Sequence, residues 1–238
     1  MSKSDISLIT SLQHKKYRDA HRLFVVEGWK MVHEAQASSF VVRNVFSDAE
    51  LTPSEIKKIS LFKTPAAVVA LVEQPQYTME LPALTGELVL ALDEIQDPGN
   101  LGTIIRIADW FGIRHIVCSP HTADCYNPKV VQATMGAIFR VRLHYTDLPT
   151  FLREAARHVP VYGTTLDGEN IYTQSLQQEA VLVMGSEGRG ISPDAAAALT
   201  TRLHIPSYPP QSAGSESLNV AVSTAIACAE FRRRTSER

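Results

Sequence analysis

Three short polar stretches hold residue types that could do chemistry together: "DEIQDPGNLGTIIRIADWFG" at 93–112, "VLVMGSEGRGISPD" at 181–194 and "GSESLNVAVSTAIA" at 214–227. Each sets polar or glycine positions directly against an apolar segment. In the first, Asp97, Pro98 and Gly99 form a turn, and Asn100 is placed to cap a helix with Leu101, Ile104, Ile105, Ala108 and Phe111 on its buried stripe. Arg106 falls off that stripe. Helical side chains lean toward the N-terminus, so its guanidinium would reach back over Gly102 and Thr103 toward the positive end of the helix. Two readings stand side by side: Arg106 and the helix terminus share an anion such as a phosphate, or Arg106 is ion-paired with Asp93, Asp97 or Asp109.

In the second stretch Gly185, Gly188 and Gly190 follow an apolar run and precede Ser192-Pro193, an N-cap and first-turn pair. The order G-x-x-G-x-G is not the G-x-G-x-x-G of dinucleotide-binding folds. Three glycines serve either a close backbone approach to a ligand or a tight turn. In the third, Ser215 or Ser217 is placed to cap a helix with Leu218, Val222, Ala225, Ile226 and Ala229 on one stripe. Capping accounts for a serine. It does not account for Asn219, whose first-turn amide is free to bond something outside the helix. The abundance of Ala, Ser and Thr predicts close packing against backbone, within the chain or across a dimer.

The elements that must position these loops read as α/β. "ELVLALDEI", "HIVCS", "VPVYGTT" and "AVLVMG" are short apolar runs of the kind buried on both faces of a parallel sheet, several leading into a turn and a helix-like segment. A parallel sheet of about five or six strands flanked by helices is the economical arrangement. Upstream, strands are predicted at 40–46 and 67–72 and a helix at 50–59. "EQPQYTMELPAL" at 73–84 carries two prolines and little periodicity, so the domain boundary is set near residue 80. This gives a first domain at 1–78, a linker at 79–84 and a second domain at 85–238.

With 45% apolar and 20% charged residues and a formal net charge of -2, the 238-residue chain is an ordinary globular protein with no global field for nucleic acid. The basic excess is local. Residues 1–30 carry six Lys or Arg against three Asp or Glu, and "HKKYRDAHR" interleaves an aromatic with Lys15, Lys16, Arg18 and Arg22. That pattern suits an RNA backbone or a solvated helix face. Cys118, Cys125 and Cys228 have neither metal nor disulfide spacing, and His115, His121, His144, His158 and His204 are scattered, so no metal site is expected. No signal core opens the chain and no run nears the roughly 20 apolar residues of a membrane span. A cytoplasmic protein is expected.

Taken in order and spacing, the three stretches resemble the three motifs of the SpoU (TrmH) branch of the SPOUT RNA methyltransferases: "QDPGNLGTIIRIADWFG", "VLVMGSEGRGIS", and "IP" followed by "SLNVAVSTAIA". "SLQHKKYRDAHRLFVVEGWKMVHEA" resembles the small ribosomal-protein-like substrate-binding domain that many members carry in front. The resemblance implies an α/β fold with a C-terminal trefoil knot, a homodimer, and transfer of a methyl group from S-adenosylmethionine to a ribose 2′-hydroxyl of RNA, rRNA ahead of tRNA. It assigns Asn100, Arg106, Glu187, Ser217 and Asn219 to the catalytic neighbourhood. Thr164, Gly185, Ile205 and Leu218 would line the cofactor pocket, with Gly188 and Gly190 shaping it. Lys15, Lys16, Arg18 and Arg22 would meet RNA. One departure is the loop at 207–216, longer than the family pattern.

A non-catalytic rRNA-binding protein on a degenerate scaffold is the competing reading. Retention of Asn100, Arg106 and Asn219 argues against it, because buried and unused polarity costs stability. Glu27 and Gly28 match the N-terminal pattern but suggest no chemistry, and are read as structural.

Overall fold

The structure is a computed structural model that describes residues 1–78, 86–209 and 217–236. The expected linker at 79–84 and most of the long loop, 210–216, lie outside the described residues. In chain order the elements are α1 (Lys3–Ser11), α2 (Lys15–His21), β1 (Leu23–Glu27), α3 (Trp29–Ala37), β2 (Val42–Ser47), α4 (Pro53–Ile59), β3 (Val68–Glu73), β4 (Leu88–Asp93), α5 (Pro98–Trp110), β5 (His115–Cys118), α6 (Pro128–Thr134), β6 (Arg142–Tyr145), α7 (Leu148–Ala155), β7 (Val161–Asn170), β8 (Ala180–Gly185), α8 (Pro193–Ala196), β9 (Thr201–His204) and α9 (Val220–Ser236). They divide into two compact units. One is Met1–Gln76 with Asp124–Arg140, and the other is Tyr77–Ala123 with Val141–Arg238.

The first unit is built on a three-stranded antiparallel sheet ordered β1-β3-β2. Successive strand residues point to opposite faces. Val25, Val69 and Leu71 join Ile9, Leu12 and Ile59 in one apolar layer, while Phe24 lies among the rings of Phe40, Tyr126 and Phe139. Burial on both faces removes the alternation by which a strand is read from sequence, so β1 was not foreseen, whereas β2, β3 and α4 lie within a few residues of their predicted spans. A capping box between Thr52 and Glu55 sets the start of α4 at Pro53. Glu27, 3% exposed, accepts hydrogen bonds from Ser60 Oγ and the Leu61 amide, both at 2.7 Å, and so ties β1 to the chain after α4. Desolvation holds its carboxyl above the ordinary range.

Arg18 departs from its expected role. It is 2% exposed, and its guanidinium donates to the carbonyls of Leu12 and Gln13 at 2.8 Å and to Asp124 Oδ2 at 2.6 and 3.1 Å. All of these partners belong to the same unit. A guanidinium committed to two carbonyls and a carboxylate is a structural clamp and is removed from the RNA-facing set. Lys15, paired with Asp19, Lys16, beside the Tyr17 ring, and Arg22, at the left-handed end of α2, stay exposed.

The second unit is a six-stranded, all-parallel sheet ordered β6-β5-β4-β8-β7-β9. Val89, Ala91, Val117, Val181 and Val183 form one apolar layer with Leu148 and Leu152 of α7 and Ala195 of α8. α5 and α9 pack on each other, and α9 also meets β8. The buried stripe of α9 is Val220, Ala221, Thr224, Ala227, Cys228 and Phe231, not the predicted Leu218, Val222, Ala225, Ile226 and Ala229. The helix starts at Val220, with Asn219 rather than a serine as its cap, and this other face is the one packed toward α5 and β8. Leu218 and Val222 are left about half exposed, at 49% and 48%.

Candidate active site

Parallel strands bring loops together at their carboxyl ends, and the strand order of this sheet reverses between β4 and β8, the usual place for a ligand crevice in such a fold. The register is specific. Asp93, last in β4, lies beside Gly185, last in β8, so the chain leaving β4 toward α5 and the chain leaving β8 toward α8 start side by side. Asp93 holds the second loop as well, its Oδ2 accepting from the Ser192 amide at 2.8 Å. The cleft between them is lined by Glu94, Asp97, Asn100, Glu187, Arg189 and Val220 among others.

α5 begins three residues earlier than predicted. Asp97 is its N-cap, accepting from the Asn100 amide at 2.8 Å, with Pro98 in the first turn. The Asp-Pro pair is the same signal as Ser192-Pro193, but only Asp97 makes the side-chain cap bond, which satisfies one orphan donor for about 1 kcal/mol. Because Asp97 caps the backbone, the Asn100 side chain is released. Its Nδ2 donates to Glu187 Oε1 at 2.7 Å.

Asn219 completes the set. Its Oδ1 accepts from the amides of Ala221 at 2.9 Å and Val222 at 3.3 Å, so Asn219 itself caps α9, where a serine was expected. That bond fixes the amide orientation. With Oδ1 committed to the helix, Nδ2 must face the other way, and it donates to Asn100 Oδ1 at 3.0 Å and to Glu187 Oε1 at 2.8 Å. Three residues, one from each polar stretch, thereby close a hydrogen-bonded ring on a single carboxylate oxygen. Among the described residues Glu187 Oε2 carries no partner.

Ser217 is exposed and outside this ring. Arg106 is exposed on α5 with no hydrogen-bond or ion-pair partner among the described residues, so none of Asp93, Asp97 and Asp109 holds it. The glycines divide. A Cβ on Gly185 would lie 2.1 Å from the Gly190 carbonyl carbon and 2.2 Å from the Ile191 nitrogen, and Gly190 has φ +67°. These two are required by the turn, closed by paired bonds between Ser186 and Gly190. A Cβ on Gly188 would meet nothing within 4 Å, which leaves open space at the cleft.

Gly185 ends β8 and Ile205 directly follows β9, whereas Thr164 lies within β7, where its pairing with β9 shifts register. Gly163 pairs with Val183, Thr164 with Leu203, and the Thr164 hydroxyl lies 3.5 Å from Met184 Sδ. Leu218 directly precedes the cap of α9. Among the described residues the main chains of Ile205 and Leu218 have no hydrogen-bond partner, so their N–H and C=O groups are available to a ligand. Among the described residues no group of three or more His, Cys, Asp and Glu is arranged to hold a metal ion, and no helix is long and apolar enough to cross a membrane.

The structure brings the sequence-named Asn100, Glu187 and Asn219 together, while Asp97, Glu94 and Arg189, which line the cleft, were not among the named candidates. Asp97 could have been found from the proline after it. Glu94 carries a left-handed φ of +55°, which no side-chain pattern announces.

The family model described as SpoU rRNA methylase family matches residues 87–229, and that of the MRM3-like substrate binding domain matches residues 3–77. The 23S rRNA (guanosine(2553)-2'-O)-methyltransferase RlmP of Bacillus subtilis is 33% identical over 90% of each chain. A TrmH-family structure from Porphyromonas gingivalis is 41% identical, covers 98% of this chain and 99% of its own, and superposes with TM-score 0.88. An AdoMet-bound rRNA methyltransferase from Sinorhizobium meliloti is 30% identical, covers 98% and 95%, and reaches 0.86. With a matched model over more than half its length and these relatives end to end, the chain belongs to the SpoU rRNA methylase family.

Proposed function

We propose that the protein methylates a ribose 2′-hydroxyl of ribosomal RNA, using S-adenosylmethionine. The observation that carries this reading is the ring of Asn100, Glu187 and Asn219, in which all three motif loops converge on one carboxylate beside an open cleft. A ribose hydroxyl is a poor nucleophile until it loses a proton, so the site must orient it and manage that proton. S-adenosylmethionine, when bound, supplies a methyl group on a positively charged sulfur. The main chains of Gly185, Ile205 and Leu218, with Thr164, would hold it, and the open space at Gly188 would admit it.

In this reading Asn100 and Asn219 keep Glu187 oriented, and Ser217 lies where the ribose enters. Arg106 grips the neighbouring phosphate with its bidentate fork and stabilises the developing alkoxide. Arg106 is assigned this charge-stabilising role and not that of the base. Glu187 Oε2, a phosphate oxygen or water receives the proton. Residues 1–78 bind the RNA through Lys15, Lys16 and Arg22, and 85–238 carry out transfer within a C-terminal knot. The half-exposed apolar side chains of Leu218 and Val222 support a homodimer through α9. The compartment assigned is the cytoplasm, in keeping with three buried, reduced cysteines.

The test is transfer of labelled methyl from S-adenosylmethionine to rRNA taken from cells lacking this protein, followed by mapping of 2′-O-methyl positions. Restoration of one missing ribose methyl is expected. RNA binding without transfer would instead favour the non-catalytic reading.

A further inference from the structure

We propose that Arg189 is a phosphate-binding residue for the substrate RNA, held ready at the cleft edge by an exchangeable pairing with Glu94. This rests on the methyltransferase reading above and adds a residue to it. The cleft is acidic: Glu94, Asp97 and Glu187 all line it, and Arg189 is the one cation among its described lining residues. An RNA strand bringing its phosphates to the ring of Asn100, Glu187 and Asn219 meets repulsion from those carboxylates, and a cation at the entrance offsets it.

Two of the three carboxylates are already committed. Asp97 caps α5 and Glu187 accepts from two amides. Glu94 is different: its Oε2 lies 3.8 Å from Arg189 Nη1, beyond hydrogen-bond distance, and the Arg189 side chain is 85% exposed. Exposed, loose ion pairs contribute little to stability. The pairing does, however, keep the guanidinium beside the cleft.

Its position is set from both ends. Glu94 takes a left-handed backbone with its amide donating to Ser119 Oγ at 2.9 Å, and Arg189 sits inside the turn closed by Ser186 and Gly190. A phosphate offers the planar fork two oxygens and a stronger partner than a carboxylate at 3.8 Å. Arg189 therefore exchanges Glu94 for the RNA backbone on binding, and Glu94 acts as a competitor for it.

The opposed signs of two substitutions test this in the full-length protein, with rRNA as the ligand. Arg189→Ala is expected to raise the RNA Kd and KM about three- to tenfold and to flatten the slope of log K against log salt by about 0.7–0.9. Calorimetric affinity for S-adenosylmethionine stays unchanged. Arg189→Lys recovers most of the slope but only part of the affinity. Glu94→Gln, which frees the guanidinium, is expected to tighten RNA binding about twofold or more. Were the pair merely a brace for the loop, both Arg189→Ala and Glu94→Gln would weaken binding alike. That outcome, or an unchanged salt slope in Arg189→Ala, overturns the proposal. A wild-type protein that binds rRNA without methylating it would sink the enzyme reading while leaving the salt slope to decide on Arg189.

Discussion

Asn100 and Asn219, 119 positions apart in the chain, donate their side-chain amides to the same oxygen, Oε1 of Glu187. The arrangement depends on how each helix is capped. Asp97 relieves Asn100 of capping, whereas Asn219 caps with its oxygen and so turns its nitrogen toward the carboxylate. Helix-end chemistry and site chemistry are therefore the same hydrogen bonds seen from two sides.

Replacement of Asn219 by serine separates those two roles. A serine hydroxyl still caps α9, so stability is expected to change by less than about 1 kcal/mol. The amide bonds to Asn100 and Glu187 are lost, and turnover should fall at least tenfold, about 1.4 kcal/mol of barrier. Thermal melts run beside initial rates at saturating cofactor and RNA check this, and a matched loss of both would mean that Asn219 serves the fold alone.

Arg106→Lys keeps the charge but loses the bidentate fork. Turnover is expected to drop by about 10- to 100-fold with cofactor affinity little changed. Near-normal turnover in that variant removes Arg106 from the chemistry.

For Arg18 the expected effect is on folding. Arg18→Met leaves the Asp124 carboxylate and the carbonyls of Leu12 and Gln13 without this donor, and should destabilise the protein by about 3 kcal/mol. Lys15→Ala and Lys16→Ala should stay within about 0.5 kcal/mol of the parent and instead weaken RNA binding. Urea unfolding together with RNA titration distinguishes the two groups.

Stability should also fall with acid through His144. Burial, then the neighbouring His115 and Arg142, pull its pKa down to about 4 from an ordinary 6.5. The folded protein holds this imidazole neutral while the unfolded chain takes up a proton below about 6.5. The stabilisation is complete above that pH and is lost progressively as pH drops toward 4. His144→Phe should flatten the dependence of the urea midpoint on pH across that window, and a parallel curve in the variant would rule His144 out as the source.

Much of the site was legible because its residues break a local rule. Asn219 sits where an apolar helix begins, and polarity at such a seam has a purpose; Glu187 was reached only through the family resemblance. What stayed hidden depends on tertiary context. Arg18 reads as one more cation in a basic helix, and only Asp124, 106 positions away, makes it a buried clamp. The face of α9 that is covered is chosen by its packing on α5 and β8, which small residues on both sides of the helix do not announce. β4, β5, β7 and β8 were found because buried parallel strands are continuous apolar runs, whereas the short β6 and β9, with exposed and half-buried residues along them, offer no such run.

The return of Asp124–Arg140 to the first unit bears on how these modules travel together. Phe24 finds Tyr126 and Phe139, and Arg18 finds Asp124, only when the later segment is present. A fragment severed before residue 80 would bare an aromatic nest and leave Arg18 without its carboxylate partner. The front module thus borrows part of its own interior from sequence embedded in the enzyme module, and swapping either one for a relative's requires carrying those seventeen residues along with the front piece.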